Sequence, residues 1–307
     1  MALLPKYSIV IPVFNSEESL EELYSGIQAL FAERQERFEV VFVDDRSRDN
    51  SWEVLKKLKA AHTDTITAIR LARNFGQHNA TLCGLGFARG ELIVTIDDDL
   101  QTPPEEISRL IDERDAVQTD LVYGISGKKY HSRAQKLGSA SLKKSSRLLH
   151  GSPGEGSSFR LITRELADKI RQHQQPFIYL DEVFHWYTDD ISFVEVLHLP
   201  RKYKQSGYTW RTLLHLLANI LLYYTMIPLK FLVYGGFFFS LVTFVYGLYH
   251  IVKKWLFDVP LGYTSLIVAI LFSTGIILFS LGVIGEYLRR IYEVQNRKPP
   301  YSIQKIL

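Results

Sequence analysis

Short apolar runs alternate with amphipathic stretches from residue 7 to about residue 200. The apolar runs predict strands at residues 7–14, 38–45, 66–72, 91–99 and 120–126, and the stretches between them predict helices at 17–33, 51–62, 77–88 and 103–114. The strands are continuous apolar runs with no alternation of polar residues, a pattern typical of a sheet that is buried on both faces. We therefore expect an α/β domain with a mostly parallel sheet and helices on both of its faces.

The pattern changes after residue 208. Residues 209–226 are amphipathic and aromatic, which favours a helix that lies at a membrane surface. Two apolar stretches follow, at about 229–251 and 263–285, and each is long enough to cross roughly 30 Å of hydrocarbon as a helix. The predicted organisation is a domain at 1–208, an interfacial segment at 209–226, two transmembrane helices within 227–290 and a tail at 291–307.

Basic residues indicate how the predicted hairpin is oriented. Lys230 precedes the first apolar stretch, and Arg289, Arg290, Arg297 and Lys298 follow the second, so all five lie on one side of the membrane. An excess of lysine and arginine marks the cytoplasmic side. We therefore expect an inner-membrane protein that crosses the membrane twice, with its large domain and its tail in the cytoplasm.

Composition narrows the class of protein further. The chain has 307 residues, of which 47% are hydrophobic, and its formal net charge is only +3 at pH 7. So small an excess of positive charge argues against a general nucleic-acid surface, and we expect no nucleic-acid partner. The single cysteine, Cys83, allows no disulfide within the chain and suits a reducing cytosol.

Polar residues gather where the predicted strands end. They are Asp44, Asp45, Asn74, Asp97, Asp98 and Asp99. Ligands of parallel α/β sheets bind at the carboxyl ends of the strands, so this set predicts the position of the site. The alternative for each single residue is that it only caps the helix that follows.

Three consecutive aspartates end the fourth predicted strand. On an extended backbone Asp97 and Asp99 point to one side, together with Gln101, whereas Asp98 points to the other. Carboxylate pairs are typical ligands of Mg²⁺ or Mn²⁺, which complete their coordination with water and substrate phosphates. The sequence therefore predicts a divalent-metal site at Asp97 and Asp99. The alternative is a solvated acidic loop.

Two common phosphate-binding motifs are absent from the sequence. There is no Gly-x-x-x-x-Gly-Lys-Ser/Thr loop, which disfavours a P-loop NTPase. There is also no Gly-x-Gly-x-x-Gly after the first strand, which disfavours dinucleotide binding. A divalent ion beside phosphates still suggests a nucleotide-linked substrate.

Four segments in the order IPVFNSEE, VDDRSRDNS, RNFGQHNA and DDDLQTPPEE resemble family 2 of the glycosyltransferases, and more narrowly its polyisoprenyl-phosphate glycosyltransferases. The resemblance covers nearly the whole chain. It implies a GT-A fold, an NDP-sugar donor linked to UDP or GDP, a polyprenyl phosphate acceptor such as undecaprenyl phosphate, inversion at the anomeric carbon and Mg²⁺ or Mn²⁺ as cofactor. It leaves the sugar open.

The resemblance also implies roles for single residues. The nucleotide-sugar positions are Pro12, Phe14, Glu17, Asp45, Asp97 and Gln101, the metal positions are Asp97 and Asp99, and the catalytic positions are Asp99, Glu155 and Arg201. Four positions depart from the family pattern: Asp98 is usually alanine, Glu155 stands near the place of an aspartate, Lys204 replaces a glycine and Gly207 replaces a lysine.

The acceptor side needs cations more than it needs a base. A phosphate monoester has a second pKa near 6, so the acceptor is already anionic at neutral pH. The candidates that would hold this phosphate are Lys128, Arg133, Arg160, Lys204 and Ser206. Arg133 stands where the family has an arginine for the acceptor phosphate. The alternative for each basic residue in the segment around Arg133 is a solvated helix face.

Other classes of protein stay open at this point. A processive polysaccharide synthase would carry a Gln-x-x-Arg-Trp motif, which the sequence lacks. A family 2 enzyme with a different glycan or lipid acceptor, a catalytically inactive membrane scaffold that binds nucleotide sugar, and a soluble nucleotidyltransferase are further alternatives. The expected partners are the NDP-sugar, the lipid phosphate and the bilayer, with association into a homo-oligomer left open.

Overall fold

The computed structural model describes most of the chain. The described residues are 4–126, 157–172, 179–200, 202, 262–296 and 299–307, together with 231–236, 238, 241, 242, 245, 246, 248, 249, 252 and 256. They divide into two compact units, one of Met1–Gly207 with Pro299–Leu307 and one of Tyr208–Lys298.

The first unit is built around an eight-stranded sheet. Its strands are β1 Tyr7–Val13, β2 Phe38–Asp44, β3 Ile66–Leu71, β4 Leu92–Thr95, β5 Leu121–Ser126, β6 Arg160–Thr163, β7 Ile191–Val196 and β8 Ile303–Ile306. Its helices are α1 Leu20–Arg34, α2 Ser51–Ala61, α3 Gln77–Phe87, α4 Ile107–Val117, α5 Arg164–Arg171 and α6 Leu180–Tyr187, with a 3₁₀ turn at Pro104–Glu106 before α4. The expected α/β class, with helices on both faces of the sheet, is confirmed.

The strand order is β7-β5-β6-β4-β1-β2-β3-β8. Strands β1 to β4 are parallel to one another, and β5 is parallel to β7. Strand β6 runs antiparallel to both of its neighbours, β4 and β5, and β8 runs antiparallel to β3. The sheet is therefore mostly parallel, as expected, but two reversed strands bring chain segments to the carboxyl edge that the sequence did not place there.

The core forms where the apolar runs predicted it. All seven residues of β1 are buried, because this strand lies at the centre of the sheet. Helix α1 packs the predicted stripe of Leu20, Leu23 and Ile27 against the core, together with Phe31. This packing fixes the carboxyl ends of β1, β2 and β4, from which the candidate site is built.

The structure of the last residues differs from the predicted tail at 291–307. A long helix, α7, continues to Gln295, and Ile303–Ile306 form β8 at one edge of the eight-stranded sheet. The pairing is set by apolar residues, with Ile306 opposite Ile69 and Ile303 opposite Leu71. A short strand gains stability by covering an exposed sheet edge, a contact that periodicity within the tail does not reveal.

The second unit is described mainly by helix α7, Tyr263–Gln295. Within it, Phe272–Arg289 is long and apolar enough to cross a membrane, and it is the one such helix among the described residues. The predicted first transmembrane helix at 229–251 is described only in part. The predicted interfacial segment at 209–226 lies outside the described residues.

Candidate active site

The three aspartates follow β4 directly and lie at the carboxyl edge of the sheet. Asp97 accepts a hydrogen bond from the side-chain amide of Gln77 at 2.6 Å and another from the hydroxyl of Ser158 at 2.6 Å. Gln77 begins helix α3, and Ser158 stands just before β6. Asp97 therefore joins three separate segments of the chain at one point.

Both groups that donate these two hydrogen bonds to Asp97 are neutral. Burial raises the pKa of Asp97 to about 6, and the nearby charges of Asp99 and Asp98 add to the increase, while the bond from Ser158 and the charge of Arg160 oppose it. The ionised form is thus costly at this position. A cation bound at Asp97 would remove much of that cost.

Asp98 has a separate set of partners. Its carboxylate accepts from the backbone N–H of Phe14 at 2.9 Å and from the hydroxyl of Ser16. Its carbonyl oxygen accepts from the hydroxyl of Ser19. All three partners belong to the loop between β1 and α1 or to its junction with the helix, so Asp98 connects the aspartate loop to the end of β1.

Asp99 and Gln101 are tied to the segment after β7. The backbone N–H of Gln101 donates to the Asp99 carboxylate at 3.1 Å. The Leu199 N–H donates to the Gln101 carbonyl at 2.7 Å, and the Gln101 side chain donates back to the Leu199 carbonyl at 3.3 Å. The aspartate loop is thereby coupled to the segment that leads to residue 201.

Asp45 is buried at the end of β2 and accepts two backbone hydrogen bonds. They come from Phe75 at 2.7 Å and Gly76 at 2.8 Å. Gly76 has φ of +89°, a conformation that favours glycine. Burial raises the pKa of Asp45 to about 6 in spite of these two bonds. Asp45 thus holds the turn before α3, and its expected contact with the nucleotide stays a prediction.

The other nucleotide positions surround the end of β1. Pro12 is buried inside the strand, and Phe14, just after it, has 40% of its surface exposed. Glu17 accepts from the backbone N–H of Asn50 at 2.8 Å, at the start of α2. A pocket of about 200 Å³ brings the β1–α1 loop together with the aspartates, and its lining residues are Asn15, Ser16, Glu17, Glu18, Ser19, Asp49, Asp98 and Asp99.

Arg160 does not occupy the position expected of an acceptor residue. Its side chain is 2% exposed and forms an ion pair of 2.6 Å with Asp181. The guanidinium also lies over the rings of Tyr123 and Phe184. Because its guanidinium is buried and paired with Asp181, this arrangement does not support a contact with the acceptor phosphate, which stays a prediction. Arg160 anchors β6 to α6.

Six other predicted positions lie outside the described residues. They are Lys128, Arg133, Glu155, Arg201, Lys204 and Ser206. Among the residues that the structure describes, no group of three or more histidine, cysteine, aspartate or glutamate side chains is placed to hold a metal ion.

Two contacts of the site were missed by the sequence reasoning. Gln77 lies in the segment RNFGQHNA, which carried the family resemblance but received no role. Ser158 gave no signal, since its position depends on the antiparallel placement of β6, with Arg160 opposite Thr95. Asp98, which had no explanation in the sequence, is explained by its bonds to the β1–α1 loop.

Residues 8–171, more than half of the chain, match the family named Glycosyl transferase family 2. The chain belongs to this family. Residues 227–291 also match the GtrB C-terminal hairpin. The resemblance seen in the four motifs is thereby confirmed.

Relatives extend the match to nearly the whole chain. An undecaprenyl-phosphate 4-deoxy-4-formamido-L-arabinose transferase of Pseudomonas aeruginosa is 33% identical over 98% of this chain and 90% of its own length. An uncharacterized glycosyltransferase of Bacillus subtilis, YkcC, is 32% identical over 98% of this chain and 94% of its own length.

A solved structure agrees on the fold. Glucosyl-3-phosphoglycerate synthase of Mycobacterium tuberculosis, in complex with Mn²⁺, UDP-glucose and phosphoglyceric acid, has a TM-score of 0.52 at 17% identity. The match covers 71% of this chain and 79% of that one. At this identity the likeness bears on the fold alone, and it supports the expected GT-A fold of the family 2 glycosyltransferase.

Proposed function

We propose that this family 2 glycosyltransferase transfers a sugar, with inversion, from an NDP-sugar to a polyprenyl phosphate at the cytoplasmic face of the inner membrane. The observation that carries the proposal is the 33% identity, over 98% of the chain, to a transferase named for its undecaprenyl-phosphate substrate. The product would be a polyprenyl-phosphate sugar for modification of cell-envelope glycans.

The donor would bind at the carboxyl edge of the sheet. Phe14 offers an exposed ring for the base, while Asp45 and Glu17 lie at the ends of the neighbouring segments. Aromatic rings stack on bases with little dependence on sequence. The NDP-sugar would be UDP- or GDP-linked, since both kinds of donor fit a site of this class.

The residues present fit a divalent metal ion at Asp97 and Asp99. Mg²⁺ typically takes one or two carboxylates and shares its remaining positions with water and phosphates, and the half-buried Asp97 carboxylate has only neutral hydrogen-bond donors. A bound Mg²⁺ or Mn²⁺ would stabilise the negative charge of the departing diphosphate. Gln77 and Ser158 hold the Asp97 carboxylate in place.

The acceptor phosphate needs no base to become nucleophilic, because it is ionised at neutral pH. It does need cations, since it must approach a site that already carries several carboxylates. Arg133, Lys128, Lys204, Ser206 and Arg201 remain the residues proposed for this role, with Glu155 as a further catalytic candidate. Attack on the anomeric carbon from the side opposite the diphosphate gives inversion.

The carboxyl-terminal part would keep the site at the membrane. Helix α7 contains a segment apolar enough to cross a bilayer, and residues 227–291 match a hairpin family, which supports two transmembrane helices. Residues 209–226 would lie at the interface, and the catalytic domain at 1–208 would face the cytoplasm. A long polyprenyl chain stays in the bilayer, so the enzyme must come to its acceptor.

One assay tests the proposal. Membranes containing the full chain are given undecaprenyl phosphate and a panel of radiolabelled UDP- and GDP-sugars, with EDTA or with added Mn²⁺, and the lipid extract is counted. We expect label in the lipid from at least one donor, dependent on the metal and on undecaprenyl phosphate. Metal-dependent release of UDP or GDP with no labelled lipid would indicate another acceptor, and no nucleotide release at all would indicate a binding scaffold.

A further inference from the structure

The middle aspartate of the three makes contacts that a metal ligand would not need. The Asp98 carboxylate accepts from the Phe14 N–H at 2.9 Å and from the Ser16 hydroxyl through the same oxygen. These two donors stand on either side of Asn15. The carboxylate therefore bridges one residue of the β1–α1 loop.

The bridged residue has an uncommon backbone conformation. Asn15 has φ of +52°, in the left-handed region that asparagine adopts more readily than most residues but that still needs support. Its own N–H donates to the Ser47 hydroxyl at 2.9 Å, and its side-chain oxygen accepts from the Arg48 N–H at 2.7 Å. Asp98 supplies the remaining support from the opposite side, where the aspartate loop lies.

The position of this loop matters for the donor site. Phe14 lies at the start of the loop and is partly exposed. Glu17 lies further along the loop, next to the start of α2. A turn with left-handed backbone at one residue orients the groups on both of its sides, so a change at Asn15 would move Phe14 relative to Glu17. Binding is stronger when such groups are already in place before the ligand arrives.

The cost of a third carboxylate also needs an explanation. Asp97, Asp98 and Asp99 are neighbours of like charge, and alanine, the usual residue at the middle position in the resembling family, would remove one of those charges. The hydrogen bonds to Phe14 and Ser16 are the gain that offsets this cost, because bonds to a charged acceptor are stronger than neutral ones.

We propose that Asp98 is a positioning residue of the donor site, which fixes the loop at residues 14–19 so that Phe14 and Glu17 are held ready for the nucleotide. This inference rests on the proposed function. Asp98 acts through the loop and not as a ligand of the metal. Asparagine at this position should serve nearly as well, since its amide oxygen accepts the same bonds and the weaker bonds are offset by the loss of charge repulsion from Asp97 and Asp99, whereas alanine makes no such bonds.

The first measurement needs no nucleotide. Amide hydrogen exchange is followed by mass spectrometry in peptides that span residues 13–19, using the detergent-solubilised full chain. We expect faster exchange in Asp98→Ala than in wild type, and near wild-type exchange in Asp98→Asn. Glu105→Ala is the control, because it removes an exposed carboxylate from the same segment. Unchanged exchange in Asp98→Ala would overturn the proposal.

The second measurement is nucleotide affinity, by calorimetry with UDP and GDP, in EDTA and in Mn²⁺. We expect Asp98→Ala to weaken the wild-type affinity roughly fivefold to tenfold in both conditions, as the loss of one or two hydrogen bonds would. Asp98→Asn should stay within about twofold, and the KM for the donor should rise more than kcat falls. If Asp98→Asn loses affinity only in Mn²⁺, Asp98 is a metal ligand and the proposal is wrong.

A double-mutant cycle separates the loop contact from a general loss of folding. Ser16→Ala removes one partner of Asp98, so its effect on affinity and that of Asp98→Ala should overlap and be less than additive. Full additivity would overturn the proposal. If Asp98→Ala does not fold, the test uses Ser16→Ala together with Asp98→Asn instead. A wild type that binds neither nucleotide contradicts the proposed function itself, whereas wild-type affinity in Asp98→Ala contradicts only this inference.

Discussion

A buried and a half-buried carboxylate at opposite ends of one sheet are stabilised in different ways. Glu39, towards the amino end of β2, is 2% exposed, accepts from the Ser8 hydroxyl at 2.6 Å and pairs with the Arg89 guanidinium at 2.6 Å. Asp97, past the carboxyl end of β4, accepts from a neutral amide and a neutral hydroxyl. The first carboxylate forms an ion pair with a cation of the chain, whereas among the described residues the second forms none, although the charge of Arg160 acts on it.

This difference separates a structural site from a candidate active site. At the amino end of the sheet, the guanidinium of Arg89 lies directly against the Glu39 carboxylate and offsets its charge. The carboxyl end keeps negative charge at a desolvated position, where burial raises the pKa of Asp97 to about 6. Negative charge at a desolvated position with no ion-pair partner is typical of functional sites and suits an incoming cation.

The largest expected effect is on transfer, in Asp99→Asn. Loss of one carboxylate of the proposed metal site should reduce turnover about 100-fold or more, because a metal bound there would stabilise the charge that develops on the leaving diphosphate. The variant should remain folded and membrane-bound. Initial rates with saturating donor and lipid measure the effect, with membrane extraction and circular dichroism as controls. Activity within about threefold of wild type would mean that Asp99 does not hold the metal.

Asp181→Asn tests whether a neighbouring cation, or the position at one end of the sheet, determines how much a carboxylate contributes to the free energy of unfolding. Asp181 is 14% exposed and pairs with the buried Arg160, so it should behave like Glu39 although it supports the carboxyl edge. Breaking this pair should lower the free energy of unfolding by about 3 kcal/mol, since it leaves a buried charge without its partner. The matched control is Asp168→Asn, in an exposed pair with Arg171, where we expect less than about 0.5 kcal/mol.

These two values come from urea denaturation of the purified full chain. Equal and small effects in Asp181→Asn and Asp168→Asn would show that the Arg160 pair contributes little, and the distinction between paired and unpaired carboxylates would lose its basis.

A direct comparison of the two ends uses the same chemical change at each. Glu39→Gln should lower stability by roughly 1–2 kcal/mol, because the bond to Arg89 loses its charge. Asp97→Asn should leave the thermal midpoint unchanged or raise it, since it removes a repelling, desolvated charge, and the Ser158 hydroxyl can reorient to accept from the new amide. Thermal unfolding without metal measures both variants. A clear loss of stability in Asp97→Asn would contradict the comparison.

The last expected effect is a dependence of the free energy of unfolding on pH that comes from Asp45. Its pKa is about 6 in the folded chain, above the ordinary 3.8, because burial disfavours the ionised form. The unfolded chain therefore releases this proton first as pH rises. The contribution of Asp45 to stability is present below about pH 4 and is lost between about pH 4 and 6.

Asp45→Asn isolates this contribution. The thermal midpoint of wild type relative to Asp45→Asn should fall as pH rises from 4 to 6 and then become constant. Glu105→Ala serves as a variant with no expected trend, because its side chain is exposed. A flat difference between wild type and Asp45→Asn over this range would show that Asp45 has an ordinary pKa.

Local patterns in the sequence were sufficient for much of the catalytic domain. Strands β1 to β5 and helices α1 to α4 lie within a few residues of their predicted ranges, because continuous apolar runs and helical periodicity are signals contained in each segment. The place of Asp97, Asp98 and Asp99 at a strand end followed from the same logic, since a charged run cannot continue a buried strand. The family followed from four short motifs, which is also local information.

Tertiary structure alone decided the contacts between distant segments. Ser158 reaches Asp97 only because β6 inserts antiparallel beside β4, and Arg160 becomes a buried partner of Asp181 for the same reason. Strand β8 joins the sheet edge from the end of the chain, and Asp98 meets Phe14 across 84 positions of sequence. The order and direction of the strands determine these contacts. Strand order and direction depend in turn on the free energy of the whole packed sheet, which no single segment encodes.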